Sequence, residues 1–362
     1  MGAAAEPRRA YQTLDGLRGV GAFLVVMRHV PDFFGPVHVP ESFLAVDLFY
    51  LVSGFVVAHA YGARLNRGGF FWTFVKTRII RLYPLYMFGL ALGVAAAVSS
   101  LLGHPPGGWT TWTWPKLAEA IAAGAIMFPQ FPGLAANGST LDGPTWTLLP
   151  ELIANFVYAA AIRLMTTAAV IAIMVVCAAG LTFAEFHYGT LDVGYGGTDQ
   201  WAALARVGFS FFAGVLVFRL FGARPVINNE WAAWVLMAAL TVILAFRPSE
   251  AVSPWFELGV VLVGFPVLVV LASRFEPGAL TGRLFAYVGL MSYGVYIIHQ
   301  PIGNLARESL EHLVRLPRPP WTFATGAAFL AFLVGLAGWL DGHYDGPVRR
   351  WLRGWLLTEK RA

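Results

Sequence analysis

Apolar runs of near bilayer-spanning length alternate with short polar turns along nearly the whole chain. Their spacing predicts helices near 14–32, 43–61, 82–102, 145–165, 167–184, 202–221, 230–247, 255–273, 284–303 and 321–340. The pattern predicts an all-α fold, a polytopic transmembrane helical bundle of about ten spanning helices. A weaker apolar segment near 116–128, followed by Pro129 and Pro132, is too short to cross. It is expected as a re-entrant or interfacial helix on the outer side, beside Trp109, Trp112 and Trp114. With the apolar runs recurring to about Leu340, residues 1–362 read as one integral-membrane domain with short tails at 1–12 and 342–362.

Composition agrees with that reading. Hydrophobic residues are 57% of the 362 and charged residues 12%, far from the roughly 25% charged of soluble domains. The net charge of +5 does not point to nucleic acid, because the basic residues are dispersed among short loops, where membrane orientation explains them. Arg8 and Arg9 put the N-terminus inside. The turns holding Arg64, Arg67, Lys76, Arg78 and Arg81, then Arg163, Arg219 and Arg224, Arg274 and Arg283, and finally Arg349, Arg350, Arg353, Lys360 and Arg361 fall on the same side. Both termini are therefore expected in the cytoplasm. One loop dissents, since Arg307, Arg315 and Arg318 fall outside. Cys177 stands alone in an apolar helix, so neither a disulfide framework nor a cysteine metal cluster is expected. No zinc-binding His-Glu-x-x-His, phosphate-binding Walker loop or nucleophile elbow occurs.

Ionisable groups inside apolar runs are costly, and each is a candidate for chemistry. Arg18 and His29 share one predicted helix, eleven positions apart, which sets them within roughly 20° on one face and about 16 Å apart in height. An imidazole takes a proton from a hydroxyl near neutral pH when a neighbour holds its orientation, which makes His29 the candidate base. Asp15 precedes Arg18 by three positions and can pair with it, whereas Arg28 points away and is expected to snorkel toward headgroups. Asp47, near His29 in depth, is expected either to orient that histidine or to cap its own helix; Ser53 and Gly54 read as packing residues. Arg78 and Arg81, three apart at the predicted cytoplasmic start of the third helix, suit phosphate, with Tyr83 and Pro84 following in the first turn. Glu151 lies about two turns into a helix entered from outside, and its lone carboxylate needs a partner. His299 lies toward the outer end of its own helix.

Together, Leu14-Asp15-Gly16-Leu17-Arg18-Gly19 with His29, Asp47 to Phe55, Arg78-Ile79-Ile80-Arg81-Leu82-Tyr83-Pro84, Trp146 to Glu151 and Ser292 to Pro301 resemble, in this order, the integral-membrane acyltransferases of family three. The resemblance implies O-acyl transfer from a cytoplasmic acyl-coenzyme A, acetyl-coenzyme A above all, to a hydroxyl of a carbohydrate, glycolipid or natural product, in a bacterial inner membrane and without a metal. It implies catalytic roles for His29 and Arg18, and Asp47 and Glu151 are expected to support them. It associates Arg78 and Arg81 with the donor; Arg18 and Tyr83 are expected beside them, and Trp146, Glu151 and His299 are expected at the acceptor. His29 would act as general base or as a transient acyl carrier. Tyr50 stands where the family often has Phe, and Leu149-Pro150 before Glu151 alters that helix's start. The competing reading is a proton-coupled transporter of a small anion or acyl compound using His29, Asp47 and Glu151 as relay groups. It leaves the paired arginines unexplained, and the internal repeat common in transporters is not visible.

Overall fold

The computed structural model describes residues 11–102, 112–128, 141–196, 198–222, 224–313 and 323–357. Arg8, Arg9, Trp109, Pro129, Pro132, Arg315, Arg318, Lys360 and Arg361 lie outside them. Within them the chain is a bundle of helices: α1 Gln12–His29, α2 Ala45–Arg67, α3 Phe71–Leu101, α4 Trp114–Ala125, α5 Leu148–Ala160, α6 Thr167–Tyr188, α7 Gln200–Phe221, α8 Glu230–Ala245, α9 Ser253–Gly259, α10 Phe265–Ala272, α11 Ala279–Leu313, α12 Phe323–Leu340 and α13 Gly346–Leu356. A π-turn, Val260–Gly264, joins α9 to α10 into one apolar rod. A two-residue parallel pairing joins Ile227 with Phe275 and Asn228 with Glu276. It fastens the start of α1, because Thr13 donates its hydroxyl to Phe275 O at 2.6 Å and its N–H to Glu276 Oε2 at 3.2 Å.

Among the described residues, six helical runs are long and apolar enough to cross a membrane: Pro40–Arg67, Phe71–Leu101, Thr167–Tyr188, Gln200–Phe221, Ser253–Ala272 and Ala324–Leu356. The other expected spans are shorter or more polar. α1 carries Asp15, Arg18 and Arg28 within 18 residues, α5 has 13 residues, and α11 is interrupted by Ser292, Tyr293, Tyr296, His299 and Gln300. One boundary corrects the sequence reading. α3 begins at Phe71, not near 82, so Arg78 and Arg81 lie two to three turns inside a helix of 31 residues and Pro84 sits in its interior. The bases between 76 and 81 mimic a loop, yet Arg78 is buried within the bundle. Past 341 a π-turn at Asp341–Asp345 leads straight into α13.

Small residues bring the central helices together. A Cβ on Gly54 of α2 would fall 1.9 Å from Phe211 O of α7, and one on Gly214 would fall 1.9 Å from Leu51 O. The two glycines thus let α2 and α7 approach backbone to backbone, as small residues do between membrane helices. α4 runs back along α3: a Cβ on Gly124 would meet Leu90, and Tyr86 donates to Gly124 O at 2.6 Å. Its C-terminal end therefore reaches mid-length of α3.

Candidate active site

α1, α2, α3, α5 and α11 enclose a cavity of about 110 Å³ whose lining includes Arg18, Ser53, Arg78, Arg81, Glu151 and Ser292. Three guanidiniums and one carboxylate meet there. They come from three helices, α1, α3 and α5. Arg78 and Arg81 share a face of α3 because they are three positions apart. Glu151 enters from a 3₁₀ turn, Gly143–Thr147, that runs into α5 with Pro150 in the first turn, where a missing N–H is harmless. Two tyrosines hold that turn: Tyr50 donates to Thr147 O at 3.1 Å and Tyr296 to Pro144 O at 2.9 Å.

The polar contacts distribute the charge unevenly. Glu151 Oε1 accepts from Arg78 Nη2 at 2.8 Å and from Ser53 Oγ at 2.6 Å, which gives the carboxylate its partner. Arg18 pairs with Asp15 at 3.3 Å, as its spacing predicts, and donates to Ser292 Oγ at 3.2 Å. Arg81 has no hydrogen-bond or ion-pair partner among the described residues, while lining the same cavity. Such a net positive, partly closed space attracts an anion. The cavity itself takes several waters or a slender chain.

His29 ends α1 and does not line this cavity. Its Nδ1 lies 3.0 Å from Val25 O and 3.0 Å from His299 Nε2. The rings of Phe49 and Tyr296, edge to face at 5.8 Å, do line the cavity, and Tyr296 is 5.9 Å from His299. His299 is fully buried, so the structure gives it no open surface for an acceptor.

Other expected residues are also placed elsewhere. Asp47 does not orient His29: Arg206 of α7 grips it from 2.6 Å, and Ser210 donates to it at 3.3 Å, all at 0–1% exposure. Trp146 lies under Arg206, 5.7 Å from guanidinium carbon to ring centre, and 6.1 Å from Tyr195, outside the cavity lining. The Tyr83 hydroxyl is committed to Ala125 O at the end of α4. Arg28 does not snorkel, since it pairs with Asp192 at 2.5 Å and donates to Pro40 O at 2.6 Å. Arg206 escaped the sequence reading. Its signal was there, an arginine within an apolar helix of 22 residues, where a charge is costly. Asp142, ahead of the 3₁₀ turn, was also missed; neither carboxylate oxygen has a hydrogen-bond partner, and burial pushes its acid well above the usual range. Among the described residues, no group of three or more His, Cys, Asp or Glu side chains could hold a metal ion.

With the geometry in place, comparison with known proteins adds a family. A family model described as an acyltransferase domain matches residues 11–340. A relative described as "Protein 2 in picA locus", from Rhizobium radiobacter, is 41% identical over 170 residues, covering 42% of this chain and 83% of that protein. No solved structure matches.

Proposed function

This chain belongs to that acyltransferase domain family, and from this premise we propose that it is a multi-pass membrane O-acyltransferase moving an acyl group from cytoplasmic acyl-coenzyme A to a hydroxyl of a carbohydrate, glycolipid or natural product. We assign acetyl-coenzyme A as donor and a bacterial inner membrane as location, with about ten crossings and both termini cytoplasmic. One observation carries the reading: Arg81, without a partner among the described residues, shares a cavity with Arg18 and Arg78 against the single lining carboxylate of Glu151. An anionic donor supplies the missing negative charge, and a guanidinium fork matches phosphate oxygens.

The donor's nucleotide end is too bulky for about 110 Å³ and stays at the inner mouth, while its slender pantetheine arm enters. α1 is unbroken from Gln12 to His29, so the climb from Arg18 to His29 is about 16 Å. Phe49 and Tyr296 must part for the acyl group to reach His29. The acceptor oxygen then attacks the thioester carbonyl while His29 takes the hydroxyl proton. The carbon–sulfur bond breaks, and the departing thiolate receives that proton from the imidazolium. Transfer is direct, with donor and acceptor bound together.

The test is turnover by the purified protein in detergent with radiolabelled acetyl-coenzyme A and hydroxyl-bearing acceptors. Arg81→Ala is expected to raise the donor KM about tenfold or more, the worth of one hydrogen bond to a charged group, with kcat largely kept. An unchanged KM would remove the donor site from this cavity. Uptake of a small anion into proteoliposomes without any acyl donor would establish the transporter instead.

A further inference from the structure

We propose that His299 is the positioning residue behind His29: it holds the Nδ1 proton of His29, leaves the Nε2 lone pair for the acceptor hydroxyl, and shares the charge once that lone pair is protonated. The proposal rests on the reading of His29 as general base.

Donors and acceptors around the two rings leave one neutral arrangement. His299 Nδ1 lies 2.7 Å from Tyr296 O and 3.2 Å from Val295 O. Carbonyl oxygens only accept, so that nitrogen carries the hydrogen. The other nitrogen of a neutral ring is then a bare acceptor, and a ring at 0% exposure is held neutral by the cost of burying charge. That acceptor lies 3.0 Å from His29 Nδ1, whose remaining neighbour, Val25 O at 3.0 Å, also only accepts. His29 is therefore protonated on Nδ1 and bare on Nε2, the nitrogen a base needs.

Val25 O alone favours the same tautomer, so the contribution of His299 is of another kind. An imidazole nitrogen is a stronger base than a peptide carbonyl, and it stands in line for the Nδ1 proton. When Nε2 takes the acceptor's proton, the Nδ1–H bond is drawn toward His299 and the positive charge spreads over two rings. Delivery of the Nε2 proton to the departing thiolate restores the pair, with nothing consumed. No carboxylate is hydrogen-bonded to either ring among the described residues, because Asp47 is taken by Arg206. A second histidine thus occupies the place that an acid fills behind the base of a catalytic triad. α11 braces both polar groups of α1, Ser292 on Arg18 and His299 on His29.

Nitrogen-15 NMR of the full-length protein labelled at histidine reads the arrangement directly. A nitrogen–nitrogen coupling across the hydrogen bond identifies the pair in the wild type, whether or not a variant folds. The expected spectrum shows His29 protonated on Nδ1 and unprotonated on Nε2; protonation on Nε2 overturns the proposal. In kinetics, folded His299→Phe should lower kcat roughly 10²-fold with the donor KM unchanged, and His299→Gln, whose amide oxygen accepts the Nδ1 proton, should recover part of the loss. Wild-type kcat in His299→Phe, with His29→Ala inactive, removes this proposal alone. Full turnover by His29→Ala overturns the general-base reading beneath it.

Discussion

Truncating Asp47 strands a guanidinium in the middle of the bundle. Arg206 and Asp47 are 1% and 0% exposed, and Arg206 reaches the carboxylate at 2.6, 3.1 and 3.3 Å. Its remaining donors hold Val193 O and Phe43 O at 3.0 Å each. A buried pair that loses one member costs about 3–5 kcal/mol, because the charge left behind has neither counter-ion nor water. At about 1.3 °C per kcal/mol for a chain of this size, Asp47→Leu should lower the apparent melting temperature in detergent by about 4–7 °C. Combining it with Arg206→Met takes both charges out of the core and should restore most of that loss, a coupling of about 2–4 kcal/mol in a double-mutant cycle. Asp47 makes no hydrogen bond to His29, so the double variant should also transfer acyl groups. The assay pairs thermal unfolding with turnover normalised to folded protein. A double variant that melts like the wild type but has lost all transfer would refute the reasoning, because Asp47 would then belong to the chemistry.

Three further outcomes are expected. Gly54→Ala puts a methyl group 1.9 Å from Phe211 O, so it should separate α2 from α7 at a cost of about 3 kcal/mol or more; wild-type melting would contradict that close approach. Glu151→Ala leaves Arg78 buried without its carboxylate and should cost about 3 kcal/mol or more, whereas Glu151→Gln keeps an acceptor oxygen and should cost less, an ordering that thermal melts of the two variants check. The third concerns Asp142, whose folded acid titrates well above its unfolded value, so folding takes up a proton. Stability should fall as pH rises above the ordinary carboxylate range of about 4. Asp142→Asn should flatten that fall above about pH 4, and an unchanged slope in pH-dependent melts would exclude it.

Periodicity carried much of the architecture. The helical spacing of Arg18 and His29, the pairing of Asp15 with Arg18 and the need of Glu151 for a partner follow from side-chain direction and the cost of buried charge, and the structure supplies Arg78 and Ser53 for the last. What failed was partner choice across helices. A carboxylate near His29 in depth looked like its orienting group, yet depth does not say which face of α2 meets which neighbour, and Asp47 turns to α7 instead. Positive charge near a predicted boundary was equally ambiguous. Arg78 and Arg81 read as surface residues because cytoplasmic loops are basic, and the extra turns of α3 carry them inside. His299 was visible as a histidine toward the outer end of its helix, but its burial and its contact with His29 depend on how α1 packs on α11, where Gly19 and Gly289 admit Val288 and Asp15 at close range.

A single-turnover experiment tests the central claim most directly, that the imidazole of His29 takes the acceptor's proton at the end of a path beginning at the arginine-lined cavity. Purified protein is loaded with radiolabelled acetyl-coenzyme A, mixed with a hydroxyl acceptor, and the label is followed into product. His29→Ala should bind the donor as tightly as the wild type and transfer its acyl group about 10²–10⁴-fold more slowly. Transfer at the wild-type rate by folded His29→Ala would contradict the account.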